Sequence, residues 1–228
     1  MRARREAPRA TVVLFAGPTL AASAASRLLT RGLRVRPPAR RHDVTALIEA
    51  HDTPGVIVLA DGLFHDTLAV GHAELRDALR GGWRVWGLSS MGAIRAHEMV
   101  SLGMRGFGRV FERFQAEADF QDDEVALLHG PAPEYRALSE PLVHLRAAVD
   151  HVVARGIVDD AAGQAVVADL KARWYGERTR RATLEALGLH ARARGGVAAV
   201  RQALHDFRPF LLKTIDLEQF LQLRPYAA

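Results

Sequence analysis

The sequence contains no cysteine. That excludes a disulfide scaffold, a cysteine nucleophile, an iron–sulfur centre and a thiolate zinc site. Long apolar runs are missing too: no stretch approaches the ~18 residues that a membrane-spanning helix needs. Arg2, Arg4, Arg5 and Arg9 precede an apolar run, Thr11 to Ala16, that is too short for a signal-peptide core. The expectation is a cytoplasmic protein with no membrane segment. Aromatic residues make up only 7% of the chain, and no aromatic-and-basic module of the kind that reads nucleic acid is visible. Lysine is nearly absent. Of 31 basic side chains, 29 are arginine and two are lysine, Lys171 and Lys213. That bias is ascribed to genome composition, so the net charge of +5 does not by itself select a partner, and no nucleic acid is expected.

What remains is ordinary globular material: 228 residues, 49% hydrophobic and 25% charged, enough for one sizeable domain or a core with a smaller lobe. The first half alternates branched apolar runs with helical patterns. Thr11 to Ala16, Leu33 to Arg36, Gly55 to Ala60 and Trp83 to Gly87 read as strands. Gly55-Val-Ile-Val-Leu-Ala60 is continuously apolar, as a parallel strand covered on both faces should be. Helices are expected over Ala21 to Thr30, His42 to His51, Leu68 to Arg80 and Ala93 to Leu102. Ser101 to Arg109 holds three glycines in six residues, which suits a shaped surface loop. From Pro141 onward the pattern is helical, with Asp159 or Asp160 available as a cap. The expected fold class is α/β: a mainly parallel sheet core over 11–140, with a helical C-terminal part over 141–228 packed on it.

Three segments can carry chemistry. Gly17-Pro18-Thr19 follows the first strand and opens a helix, so its N–H groups and hydroxyl suit a carboxylate or phosphate. The same three residues also serve as a plain strand-to-helix turn, and they lack the lysine of a nucleotide P-loop. Gly87-Leu-Ser-Ser-Met-Gly-Ala93 lifts Ser89 or Ser90 to a sheet edge beside helix N–H groups, where an oxyanion could be held. A capping Ser89 and a packed Ser90 are the bland reading. A serine nucleophile needs a base, and His65, His72, His97, His129 and Lys213 are the candidates. Arginine stays protonated and cannot serve. Lys213 follows Phe210-Leu-Leu212, where partial burial would lower its pKa. Lys171 reads as surface. Asp122, Asp123 and Glu124 read as a solvated acidic loop, able to meet arginines of a partner, and no metal site is expected.

In order along residues 12 to 165, the chain resembles the TfuA-like proteins that accompany YcaO enzymes in peptide-backbone thioamidation. The stretches that carry the likeness are Phe15-Ala-Gly-Pro18, Arg36-Pro-Pro-Ala-Arg-Arg-His-Asp43, Asp61-Gly-Leu-Phe64, Gly87 to Ala96, Gly103-Met-Arg-Gly-Phe-Gly-Arg-Val-Phe111, Asp122-Asp-Glu-Val125, His129-Gly-Pro131 and Leu138-Ser-Glu140. The resemblance implies a hydrolase-like Ser–Lys site, no cofactor, and three partners. These are a YcaO-type enzyme, a ubiquitin-like sulfur-carrier protein ending in a thiocarboxylate, and the peptide that YcaO activates. Carried onto this chain, the nucleophile is Ser89 or Ser90 and the base Lys213. Met91 and Gly92 would supply oxyanion N–H groups, and Asp61, Arg95, Glu98 and Arg109 would orient the pair or the carrier tail. One stretch departs from the family pattern: His72-Ala73-Glu74-Leu75 stands where relatives often carry Lys or Arg after the histidine. Two other readings stand beside this one: a scaffold that binds YcaO, and a small-molecule or nucleotide module using the Gly17-Pro18-Thr19 turn.

Overall fold

A computed structural model describes residues 11–30, 32–63, 67–191 and 196–227. The basic residues at 2–9 and the base candidate His65, which follows the strand at 55–60, lie outside the described residues. Five strands, β1 (Val12–Phe15), β2 (Leu33–Arg36), β3 (Val56–Leu59), β4 (Arg84–Leu88) and β5 (Arg105–Phe107), form one sheet in the order β2-β1-β3-β4-β5. Every pairing is parallel. The α/β class and the parallel sheet are as the apolar runs predict.

β1 and β3 read as unbroken apolar runs because both faces of the central strands are covered. On one face Val13, Phe15, Ile57, Leu59 and Val85 pack in a core with Leu47, Leu75 and Ile94. These come from α2 (Asp43–Glu49), α3 (His72–Arg80) and α4 (Met91–Met99). On the other face Leu14, Val56, Val58 and Leu88 meet Leu217, Phe220 and Leu221 of a C-terminal helix, Leu212–Leu223. That helix, α10, follows α5 (Arg109–Ala116), α6 (Leu142–Ala154), α7 (Asp160–Ala172), α8 (Arg180–His190) and α9 (Gly196–Ala203). Helices α6 to α9 share a separate apolar core around Leu145, Val149, Leu170 and Leu187. Asp159 caps α7 by accepting the Ala162 N–H. The C-terminal part therefore divides physically, with α10 returning to complete the sheet layer.

Two local expectations are corrected. The Ala-rich stretch 21–30 is not one helix: α1 spans only Pro18–Ala21, and a 3-10 turn covers Ala25–Leu28. Ser23 diverts the backbone, its hydroxyl donating to Leu20 O at 2.8 Å and accepting the Ala25 N–H at 3.0 Å. The glycine-rich stretch 101–109 is not wholly loop. Arg105–Phe107 pairs with Trp86–Leu88 as β5, because the ladder hydrogen bonds outweigh the flexibility of a single interior Gly106. Gly108 then takes φ 91° and opens α5 over the Asp216 carboxylate, where a Cβ would collide.

A candidate active site at the carboxyl ends of β1, β3 and β4

In this strand order the chain reverses its winding between β1 and β3, and loops at the carboxyl ends of those strands diverge to leave a crevice. Asp61 follows β3 and reaches across that crevice. Its carboxylate accepts the Gly17 N–H at 2.8 Å, the Thr19 N–H at 2.9 Å and the Thr19 hydroxyl at 2.6 Å. The anion held by the Gly17-Pro18-Thr19 turn is thus the protein's own carboxylate, at 3% exposure. Those donors are spent inside the chain, which removes the physical basis for a nucleotide module at this turn. Asp61→Ala strips three buried donors of their acceptor at once. Urea denaturation is expected to show a loss of about 2–4 kcal/mol, and Asp61→Asn a smaller one, since its amide oxygen still accepts.

The turn after β4 is built by close backbone approach. A Cβ on Gly92 would collide with the Leu59 carbonyl, so only glycine lets α4 begin this near the end of β3. The Gly92 N–H donates to Ala60 O at 3.2 Å. Of the two oxyanion candidates, Met91 alone has a main-chain N–H with no backbone acceptor among the described residues. Ser89 sits at φ 65°, a conformation that costs a non-glycine residue about 1–3 kcal/mol. The chain doubles back there so that the Ser90 N–H reaches Leu88 O at 2.7 Å.

The two serines part company at this point. Ser89 is fully buried, and its hydroxyl donates to the main-chain carbonyl of Lys213 at 2.8 Å. Ser90 instead lines a cavity of about 140 Å³ together with Pro18, Pro38, Asp61, His129 and Tyr175. Among the described residues its hydroxyl has no hydrogen-bond partner. His129 shares the cavity, with Nδ1 at 2.7 Å from Gly130 O.

Lys213, at 2% exposure, occupies the first turn of α10. Its ammonium donates to Val125 O at 2.9 Å. Burial pulls the amine down to about 8, opposed by the carboxylates of Asp61 and Glu140. It lines a second cavity of about 170 Å³, which shares Pro18 and Leu127 with the Ser90 cavity. Glu140 and His144 line the same space. Sequence reasoning missed both, although an acid and a histidine four residues apart at the start of an apolar helix are a readable signal. His144 Nδ1 lies 3.2 Å from Glu140 Oε2, and Arg180 Nε donates to Glu140 Oε1 at 2.6 Å.

The remaining orienting candidates lie elsewhere. Arg95 donates to Val70 O at 3.0 Å and to Glu98 at 2.6 Å, and Glu98 also meets His72 Nε2 at 2.8 Å. That cluster sits further along α4 and lines neither cavity. The exposed Arg109 contributes its backbone, whose N–H donates to Asp216 at 2.9 Å. The acidic segment is also corrected. Glu124 is fully buried, clamped by Arg146 through contacts of 2.7–3.0 Å. Arg178 takes Asp123 at 2.7 Å, so the arginines this loop meets belong to its own chain. No group of potential metal ligands forms among the described residues, and no described helix is long and apolar enough to cross a membrane.

These features define a parallel α/β protein with two neighbouring cavities at the sheet's switch point, one lined by Ser90 and the other by Lys213 of α10. A family model described as TfuA-like protein matches residues 61–179. Because the match covers just over half of the chain, the protein belongs to the TfuA-like family, which is associated with thioamidation systems and their YcaO enzymes. No curated protein matches the chain.

Proposed function

We propose that this protein hydrolyses the terminal thiocarboxylate of a ubiquitin-like sulfur-carrier protein, releasing sulfide for a YcaO enzyme that has activated a peptide amide. The observation that carries this reading is the pairing of an unbonded Ser90 hydroxyl in one cavity with a buried, pKa-lowered Lys213 lining the next. Neutral Lys213 takes the Ser90 proton as the oxygen attacks the thioacid carbon, and the Met91 N–H faces the developing oxyanion. The carbon–sulfur bond breaks as the proton taken by Lys213 passes to the departing sulfur, so hydrosulfide leaves and the amine is neutral again. Water then cleaves the acyl-serine, giving a carrier carboxylate and restoring Ser90.

One observation favours the scaffold reading, in which the protein binds YcaO and presents substrate without chemistry. Lys213 spends a proton on Val125 O and lines the neighbouring cavity. The two readings separate in a mixture of this protein and thiocarboxylated carrier with neither YcaO nor ATP present. Hydrolysis predicts multiple-turnover sulfide formation together with a carrier 16 Da lighter, from sulfur-to-oxygen exchange at ~16 Da per atom. A scaffold predicts no sulfide in that mixture and a tighter YcaO–peptide complex instead.

A further inference from the structure

The main chain of Lys213 is gripped at both ends by buried side chains. Its carbonyl accepts the Ser89 hydroxyl at 2.8 Å, and its N–H donates to His144 Nε2 at 3.2 Å. That N–H belongs to the first turn of α10, where no carbonyl of the helix can serve it. For Nε2 to accept, the imidazole proton must sit on Nδ1, where it donates to Glu140. Burial drives His144 toward the neutral form, against Glu140. Burial also pushes Glu140 up, but the His144 and Arg180 contacts outweigh it and hold the carboxyl below its usual value. Arg180 is itself braced over the Phe207 ring at 4.3 Å. The result is a connected set of donors with one proton arrangement: the Lys213 N–H donates to His144, and His144 and Arg180 both donate to the Glu140 carboxylate.

We infer that Glu140 and His144 are positioning residues for Lys213: His144 fixes the lysine's main chain through Nε2, and Glu140 fixes the histidine tautomer that makes this possible. The inference rests on the hydrolase reading only for its kinetic consequence. The charged and titratable groups around the lysine are Asp61 after β3, Glu140 and His144 at the start of α6, and Arg180 on α8. Glu134, Tyr135 and Arg136 line the same cavity. The two partners act on the amine in opposite senses. Glu140 supplies negative charge, so Glu140→Gln lowers the Lys213 midpoint. His144 holds the helix start in a dry position, so His144→Phe lets the turn relax toward water and raises the midpoint.

The chain has two lysines, Lys171 and Lys213, so lysine labelled with carbon-13 at Cε gives two NMR signals. The signal with a midpoint of about 8 is that of Lys213. The expected shifts are about one pH unit downward in Glu140→Gln and about one upward in His144→Phe. His144→Gln, whose amide oxygen can replace Nε2 as acceptor, stays near the wild-type midpoint. In sulfide release, His144→Phe lowers kcat about 10²-fold with KM unchanged, and His144→Gln recovers most of it. A Lys213 midpoint that ignores all three substitutions overturns the inference. So do shifts of one sign in Glu140→Gln and His144→Phe, since simple loosening of the site would raise both. If His144→Phe fails to fold, the Glu140→Gln and His144→Gln titrations still decide. Should the wild type release no sulfide while the midpoints move as described, the hydrolase reading falls and the positioning inference stands.

Discussion

Ser90→Ala is expected to reduce sulfide release from the thiocarboxylated carrier by at least about 10³-fold, the scale at which loss of an attacking oxygen is felt. Stability should barely change. Ser90 contributes only its backbone to the start of α4, where its carbonyl accepts the Ala93 N–H, and its hydroxyl holds no described partner. Ser89→Ala is the opposite case. It removes the hydroxyl that serves the buried Lys213 carbonyl, at a cost of about 1–3 kcal/mol in stability. It lowers turnover only through the lysine's placement, by roughly 10-fold. The two substitutions thus exchange signatures: activity without stability for Ser90, stability with modest activity for Ser89. Urea curves and sulfide assays on the same preparations test the pair. Collapse of activity in Ser89→Ala with Ser90→Ala intact would move the nucleophile to Ser89. Unchanged activity in both would leave the serines structural.

How much of this was legible in the sequence depends on the range of the interactions concerned. Strands β1 and β3 were readable because burial on both faces makes each a continuous apolar run, and the glycine-bounded turns after β1, β3 and β4 marked one edge of the sheet. The serines could be placed there but not distinguished. Which hydroxyl is free is decided by the Lys213 carbonyl, 124 positions away in sequence, and no local pattern encodes that contact. Lys213 itself was noticeable by rarity in an arginine-rich chain. Its burial depends on α10 crossing back beneath the sheet, where Phe220 stacks edge-on against Trp86 and Phe107. Arg95 and Glu98 looked like site residues because they share a helix with Ser90. Four and seven residues beyond Met91, they have already moved along α4 to pair with Val70 and His72. The acidic segment misled for a different reason: charge was read as exposure, whereas Glu124 is buried by an arginine from α6. Glu140 and His144 were overlooked because an acid just before a helix otherwise lined with Leu and Val, and a histidine in its first turn, resemble ordinary capping.

The same geometry separates activity from stability at Lys213. Its amine titrates near about 8 in the fold and near about 10.4 in an unfolded chain. Between those values the unfolded state binds more protons, so this group makes stability rise with pH from about 8 to about 10. Below that window both states are charged, and the folded protein carries the cost of a buried ammonium. Lys213→Met removes that cost together with the bond to Val125 and the attraction of Asp61 and Glu140. The net change in unfolding free energy at neutral pH is expected to stay within about 2 kcal/mol. Sulfide release, by contrast, should fall about 10³-fold in the proposed mechanism, where Lys213 is the base that takes the Ser90 proton. In the wild type the rate should rise with pH and level off above about 8, as the neutral amine becomes dominant. Lys213→Arg decides between a base and a mere positive charge. An arginine keeps the cation beside both carboxylates but cannot take a proton at any pH used. It should be as inactive as the methionine variant, with the pH-dependent rise gone. Retained activity in Lys213→Arg would show that the site needs only charge, and would send the search for the base to His129, which already shares the Ser90 cavity.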